Sequence, residues 1–321
     1  MPPLRLPEYD DLPPAAGGAR SGWGLFGAGD NAGLLNLLTP ERVAAAATLV
    51  RRGAVFALNA PLDAVEPAMF ARGVPRHRSI VTGAGRGLDD VIDNFYPQAS
   101  SQWDALGHMS FDYTHFYNGA TRDEVMHGGR NTIDHWARRG IAGRAVLLDL
   151  ERTLAAADDA YSPGDPRAFS VDDLERARRR SGVDYRAGDI LLLHTGFLRW
   201  YGAQDAAVRA RLAPRETLRA AGIEHSESMA RYLWNSHVCA IASDNPAVEV
   251  WPADGSASAW PFGFMHHVLI GQLGFALGEL WWLNDVAADC AADGVYEMFL
   301  TAAPWNLRGA VGSPANALAI K

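Results

Sequence analysis

Four side chains able to donate oxygen or nitrogen to a metal ion, or to move a proton, fall within one short stretch. They are Gln98, Gln102, Asp104 and His108, in Q-A-S-S-Q-W-D-A-L-G-H. The stretch follows Tyr96-Pro97, which favours an extended or loop start. In an extended chain alternate side chains share a face, so Gln102 and Asp104 are expected to point the same way. A carboxylate beside an imidazole suits zinc, manganese or iron. The same residues also fit a polar loop whose Asp caps a turn and whose His is satisfied by a neighbour.

A second group lies near the C-terminus, in F-M-H-H-V-L-I-G-Q-L-G-F-A-L-G-E, where His267 and Glu279 are twelve residues apart. In one unbroken helix they would be about 18 Å apart and about 120° out of phase, too far to share an ion. Gly271 and Gly274 permit a helix, a turn and a returning strand, which would bring them together. Glu279 sits among Leu277, Leu280, Trp281 and Trp282. A carboxylate there is costly to bury unless it is paired or bound to metal, and an arginine from elsewhere would also satisfy it.

Trp23, Phe26, Trp103 and Trp260 are candidates for an aromatic pocket wall, which suits a planar substrate. His266 is expected on the substrate side of its neighbour. His115, flanked by Tyr113 and Tyr117, is either a pocket residue or a core histidine. Arg76, His77 and Arg78 either hold an anionic group or belong to a solvated loop. Asp244 and Glu249 follow an apolar run, where sites often gather, although turn capping accounts for Asp244. There is no G-x-S-x-G and no glycine-rich phosphate loop, so serine-hydrolase and nucleotide-binding readings have no support.

The elements that must position these residues alternate. Residues 1–21, rich in Pro and Gly, read as an extended arm that either wraps a neighbour or is partly loose, and residues 22–321 as a single catalytic domain. Gly22 to Asn36 reads as a loop. Thr39-Pro40 opens a helix through Arg52 that stops at Gly53. Ala54 to Leu58 reads as a short strand, and residues 64–103 as loops and short strands. Arg144–Leu150, Ile190–His194 and Val238–Ala242 are buried strands. Ser170, with Asp173 three residues on, caps a helix through Arg180. Glu224–Trp234 and His266–Gln272 read as helices and Phe275–Leu283 as a strand. The class is α/β.

The totals narrow the function. The 321 residues suffice for one large domain, and 48% apolar with 21% charged is ordinary globular composition. A net charge of −8 argues against a nucleic-acid partner, which needs a basic surface. Cys239 and Cys290 are too few and too far apart for a disulfide framework. No membrane span is expected, because the most apolar stretch, His266 to Leu283, carries two His, a Gln and a Glu. M-P-P-L-R-L-P-E-Y-D-D-L-P-P has no basic start followed by an apolar run, so a cytoplasmic location is expected.

Together the two groups resemble the cyclase superfamily that includes bacterial kynurenine formamidase and isatin hydrolase. Its signature is H-x-G-T-H-x-D-x-P-x-H, with a His followed twelve residues later by Glu near the C-terminus. Asp104 falls on the signature Asp and His108 on its last His. Gln98 and Gln102 fall where the family has two ligand histidines, and Ser100-Ser101 where it has Gly-Thr. His267 and Glu279 match the late pair. G-I-A-G-R-A-V-L-L-D149 and G-D-I-L-L-L-H-T-G196 fit flanking pieces, and the likeness covers roughly residues 20–310. It is strongest with a branch bearing Q-W-D-x-L-x-H. The resemblance implies a swivelling β/β/α fold and a divalent metal that hydrolyses an amide, lactam or imide bond of a small, aromatic-type substrate. It implies Asp104, His267 and Glu279 as ligands, Gln98 and Gln102 as further oxygen donors, and His108 as general base. Two amides in place of two imidazoles favour manganese beside zinc, with magnesium also compatible. A homodimer or homotetramer is expected. A metal-dependent lyase or cyclase, and a non-catalytic ligand-binding protein, are the alternatives.

Overall fold

Near-continuous apolar runs make the centre of the sheet. The computed structural model describes residues 6–321. Its strands, in chain order, are β1 (Val55–Ala57), β2 (Arg76–Thr82), β3 (Gly87–Asp93), β4 (Gln102–Asp104), β5 (His115–Phe116), β6 (Ala120–Thr121) and β7 (Ile141–Asp149). There follow β8 (Ala168–Phe169), β9 (Ile190–His194), β10 (Gly222–Ile223), β11 (Ala240–Ser243), β12 (Ala276–Glu279), β13 (Glu297–Ala302), β14 (Gly312–Pro314) and β15 (Ala317–Ile320). Nine of them form one mixed sheet in the order β1-β15-β13-β7-β9-β11-β12-β4-β14. The central strands β7, β9, β11 and β12 run parallel, as strands buried on both faces do. Antiparallel strands extend the sheet on both sides. The fold class is α/β, as expected.

The local signals account for most boundaries. Thr39 caps the helix Pro40–Ala47. That helix ends five residues before Arg52, because the Thr48 hydroxyl takes the Ala45 carbonyl and Arg52 N–H donates to the Lys321 carbonyl instead. Ser170 and Asp173 form a reciprocal capping box on Val171–Ser181. The next long helix is Glu227–Asn235, capped by Ser226. Glu224 lies outside it because its N–H is committed to the Phe169 carbonyl beside β8. Phe275–Leu283 shortens to β12, since Leu280 adopts φ 55° and turns the chain away.

The described part of the N-terminal arm packs on its own chain. Leu6, Tyr9 and Leu12 are buried in the main core. Asn235 accepts from Tyr9 N–H at 2.8 Å, Trp234 Nε1 donates to the Pro7 carbonyl at 2.8 Å, and Arg231 pairs with Asp10 at 3.0 Å. Three apolar side chains at every third position were the signal that this arm contributes to a core; the first five residues lie outside the described ones. Residues 64–103 hold a longer element than expected, the β2–β3 hairpin, whose side chains are almost all exposed. Among the described residues no helix is long and apolar enough to cross a membrane.

Candidate metal centre

Strand β4 is three residues long and fully buried, so its alternation decides the site. Trp103 points into the core, edge-on to Trp281 (4.8 Å between ring centres) and Trp136 (6.3 Å). Gln102 and Asp104 share the opposite face. Antiparallel pairing sets Gln102 across from Glu279 at the end of β12. Gln102 Nε2 donates to Glu279 Oε2 at 2.5 Å. The helix Met265–Leu269 then brings His266 alongside, its Nε2 3.0 Å from Glu279 Oε1 and 4.0 Å from Asp104 Oδ2.

Glu249 fixes that imidazole. It accepts from the backbone N–H of Met265 at 2.6 Å and of His266 at 3.1 Å, and its Oε1 lies 2.5 Å from His266 Nδ1. His225 Nε2 approaches the same carboxylate at 2.8 Å. With Nδ1 engaged, only Nε2 of His266 faces the centre, the arrangement by which a carboxylate orients a metal-binding histidine. Gly222 keeps the Glu249 segment in place: a Cβ there would lie 2.2 Å from the Glu249 carbonyl carbon.

Two left-handed residues aim the two glutamates. Val248, just before Glu249, has φ 58°, and Leu280, just after Glu279, has φ 55°. For branched or bulky residues such backbone costs about 1–3 kcal/mol each and persists only where neighbours impose it. Asn245 imposes both. Its side chain accepts from Val248 N–H at 2.7 Å and donates to the Val248 carbonyl at 3.2 Å, while its own carbonyl accepts from Leu280 N–H at 2.9 Å.

The donor set fits a divalent cation. Ligand atoms of Asp104, His266 and Glu279 all lie within 4.8 Å of one another, and all three residues are buried. Both carboxylate oxygens of Asp104, and Oε1 of Gln102, are buried without a hydrogen-bond partner. An ionised carboxylate is not left so unless something positive completes it. Burial accordingly pushes the Asp104 carboxyl above its ordinary range, and repulsion from Glu279 adds to this. Burial alone would lower His266, but its hydrogen bonds to Glu249 and Glu279 outweigh that and raise it to about 10.

Not every expected residue gathers here. His267 faces away: its Nδ1 meets the Ser110 carbonyl at 2.6 Å and its ring packs edge-on against Phe264. His266, expected on the substrate side, takes the place beside Glu279. Gln98 turns its amide toward Gly312, and its carbonyl accepts from Arg72. His108 does approach, with Nε2 3.7 Å from Asp104 Oδ1. Trp103 is core rather than pocket wall. Trp23 donates to the Gly271 carbonyl and, with Phe26, packs on the core. His115 is half-exposed and bound to Asp112. Arg78 and His77 pair with Asp93 and Asp90 on the exposed hairpin. Asp244 accepts from Thr195 and Gly196 in a separate buried cluster.

The centre opens onto a cavity of about 260 Å³ lined by Arg72, His108, Met109, Arg215, Trp251, Phe264, His266 and Glu279, among others. An outer cavity of about 490 Å³ shares Met109, Arg215, Trp251 and Phe264 with it and adds Trp260 and His267. A larger depression, about 840 Å³, lies between the helices Val171–Ser181 and Glu227–Asn235 and shares no residue with the centre. Sequence reasoning missed Arg72, Arg215 and Trp251, and gave Glu249 no role at the centre. For Glu249 the signal was a carboxylate in V-E-V-W, an apolar setting like that of Glu279.

A mixed sheet flanked by helices, with two carboxylates from its strand ends and an imidazole from a short helix gathered beside an open pocket, defines an α/β protein with a candidate divalent-metal site. The chain belongs to the cyclase family: the family model described as "Putative cyclase" matches residues 45–250. A solved structure described as a novel cyclase is 32% identical with a TM-score of 0.80, covering 94% of this chain and 99% of that one. Isatin hydrolase A from Ralstonia solanacearum is 18% identical with a TM-score of 0.61, covering 88% and 99%. An isatin hydrolase bound to the product analogue thioisatinate is 17% identical with a TM-score of 0.58, covering 85% and 93%. Among curated proteins no match was found.

Proposed function

We propose that this chain is a metal-dependent hydrolase acting on a C–N bond of a small amide, lactam or imide. The observation that carries the reading is the Asp104 carboxylate, buried without a partner and facing His266 and Glu279. These three residues would hold the ion, with Gln102 Oε1 as a further oxygen donor. When bound, the ion supplies positive charge that polarises a carbonyl. Glu249 would keep Nε2 of His266 turned toward the ion. Manganese and zinc both suit one imidazole, two carboxylates and an amide oxygen.

His108 supplies the proton transfer. Burial holds its pKa below the ordinary histidine value, which keeps the ring neutral and able to accept. Its place on the cavity wall beside Asp104 allows it to take a proton from attacking water and return it to the leaving nitrogen. Trp251, Phe264 and Met109 exclude water from one side of the bound substrate.

A homodimer or homotetramer is part of this proposal. A lone two-stranded ribbon is marginal in water. The β2–β3 hairpin nonetheless presents Val81 and Leu88, 71% and 70% exposed, where a second copy would cover them. The reaction is tested with isatin and formanilide in heavy-oxygen water. The acid released should carry one solvent oxygen; turnover without incorporation would make the chain a lyase or cyclase instead.

A further inference from the structure

The inner cavity contains two arginines with no acidic partner. Arg72 and Arg215 line it together with His108, His266 and Glu279. Among the described residues neither forms an ion pair, although 37 acidic side chains outnumber 29 basic ones in this chain. Arg72 uses one nitrogen on the Gln98 carbonyl and lies over the Phe70 ring at 5.0 Å. Arg215 lies over Trp251 at 4.7 Å and Phe264 at 5.8 Å, and among the described residues its guanidinium makes no hydrogen bond. Stacking through the face leaves the edge of a guanidinium, with its fork of donors, free for a planar anion.

The nearby acids do not consume these charges. Glu249 is engaged by His266 and His225. Asp104 and Glu279 together match one divalent cation. With that ion in place Arg72, beside the centre, and Arg215, at the junction with the outer cavity, still have no ion-pair partner among the described residues. The remaining wall is apolar: Phe70, Met109, Pro246, Trp251 and Phe264. An aromatic slot ending in an unpaired guanidinium fork selects a ring that bears a carboxylate.

We propose that Arg72 and Arg215 form an anion-recognition site, so that the substrate of this centre is a small aromatic amide or lactam carrying a carboxylate. The reaction in this statement rests on the hydrolase reading; the binding does not.

The experiment has two arms. In the first, tryptophan fluorescence of metal-replete protein is titrated with benzenesulfonate and with methyl phenyl sulfone, an anionic and a neutral ring whose sulfonyl oxygens are poor metal ligands. The unmodified protein should bind the sulfonate at least tenfold more tightly, and the Arg72→Met/Arg215→Met double variant should lose that preference. Equal binding in the unmodified protein, or a preference surviving in the double variant, overturns the proposal. The second arm compares kcat/KM for N-formylanthranilate and formanilide. A ratio of tenfold or more favouring the anion, reduced about tenfold by Arg215→Met, supports it. A ratio near one overturns it and leaves the hydrolase standing. Hydrolysis of neither amide nor isatin, with arginine-dependent sulfonate binding intact, defeats the hydrolase reading and supports the anion site.

Discussion

Oε1 of Glu249 lies 2.5 Å from Nδ1 of His266, and the opposite nitrogen of the same ring lies 3.0 Å from Glu279. One carboxylate thus decides which edge of the imidazole is presented to the ion. Replacing Glu249 by Gln keeps the shape and removes the charge. Metal affinity, read by titration calorimetry, should fall about 10–100-fold. Unchanged affinity would mean that His266 needs no orienting partner.

The glutamines separate cleanly. Gln102 reaches Glu279, whereas Gln98 packs beside Gly312. Gln102→His should raise zinc affinity relative to manganese, because imidazole nitrogen is the better zinc donor. Gln98→His should leave the preference as it is. A shift in zinc–manganese competition produced by Gln98→His alone would restore that residue to the ligand set.

His108→Ala should retain the ion and lose about 100-fold in turnover, the scale of a general base. Metal analysis beside kinetics checks both. Loss of the ion would make His108 a ligand.

A buried cluster away from the centre gives a pH signature. His194 Nδ1 lies 3.0 Å from Asp149 and its Nε2 3.9 Å from Asp244, with Asn284 also facing it. Burial alone would lower its pKa, but the hydrogen bond to Asp149 and the charge of Asp244 raise it to about 9. A raised folded-state pKa means stability present below the ordinary value of about 6.5 and lost as pH climbs to about 9, on the order of 3 kcal/mol. The melting temperature should fall across that window in the unmodified protein and fall less in His194→Gln. Parallel slopes would contradict the assignment.

The parts of the site legible in the sequence were those that local physics constrains. Asp104 stood out because an extended Q-W-D places it with Gln102, and Glu279 because tryptophan and leucine flank it. The same alternation already turned Trp103 to the other face, into the core. What the sequence hid was long-range. The β4–β12 register that sets Gln102 against Glu279 joins strands more than 170 residues apart. The choice between His266 and His267 is a rotation of about 100° on a helix, settled by Glu249 from a separate loop. Arg72 and Arg215 come from loops with no periodicity to read. The sheet was easier, since β7, β9 and β11 are apolar runs whose burial needs no partner to be recognised. The β2–β3 hairpin read only as loops and short strands because almost all of its side chains are exposed.

Metal content of His266→Ala against His267→Ala decides which histidine holds the ion. Each purified variant, loaded with manganese and desalted, is measured by elemental analysis. The geometry predicts that His266→Ala loses the ion, because Nε2 of His266 faces Asp104 and Glu279, and that His267→Ala holds it at the level of the unmodified protein. A His267→Ala variant that is empty while His266→Ala remains loaded would contradict the account.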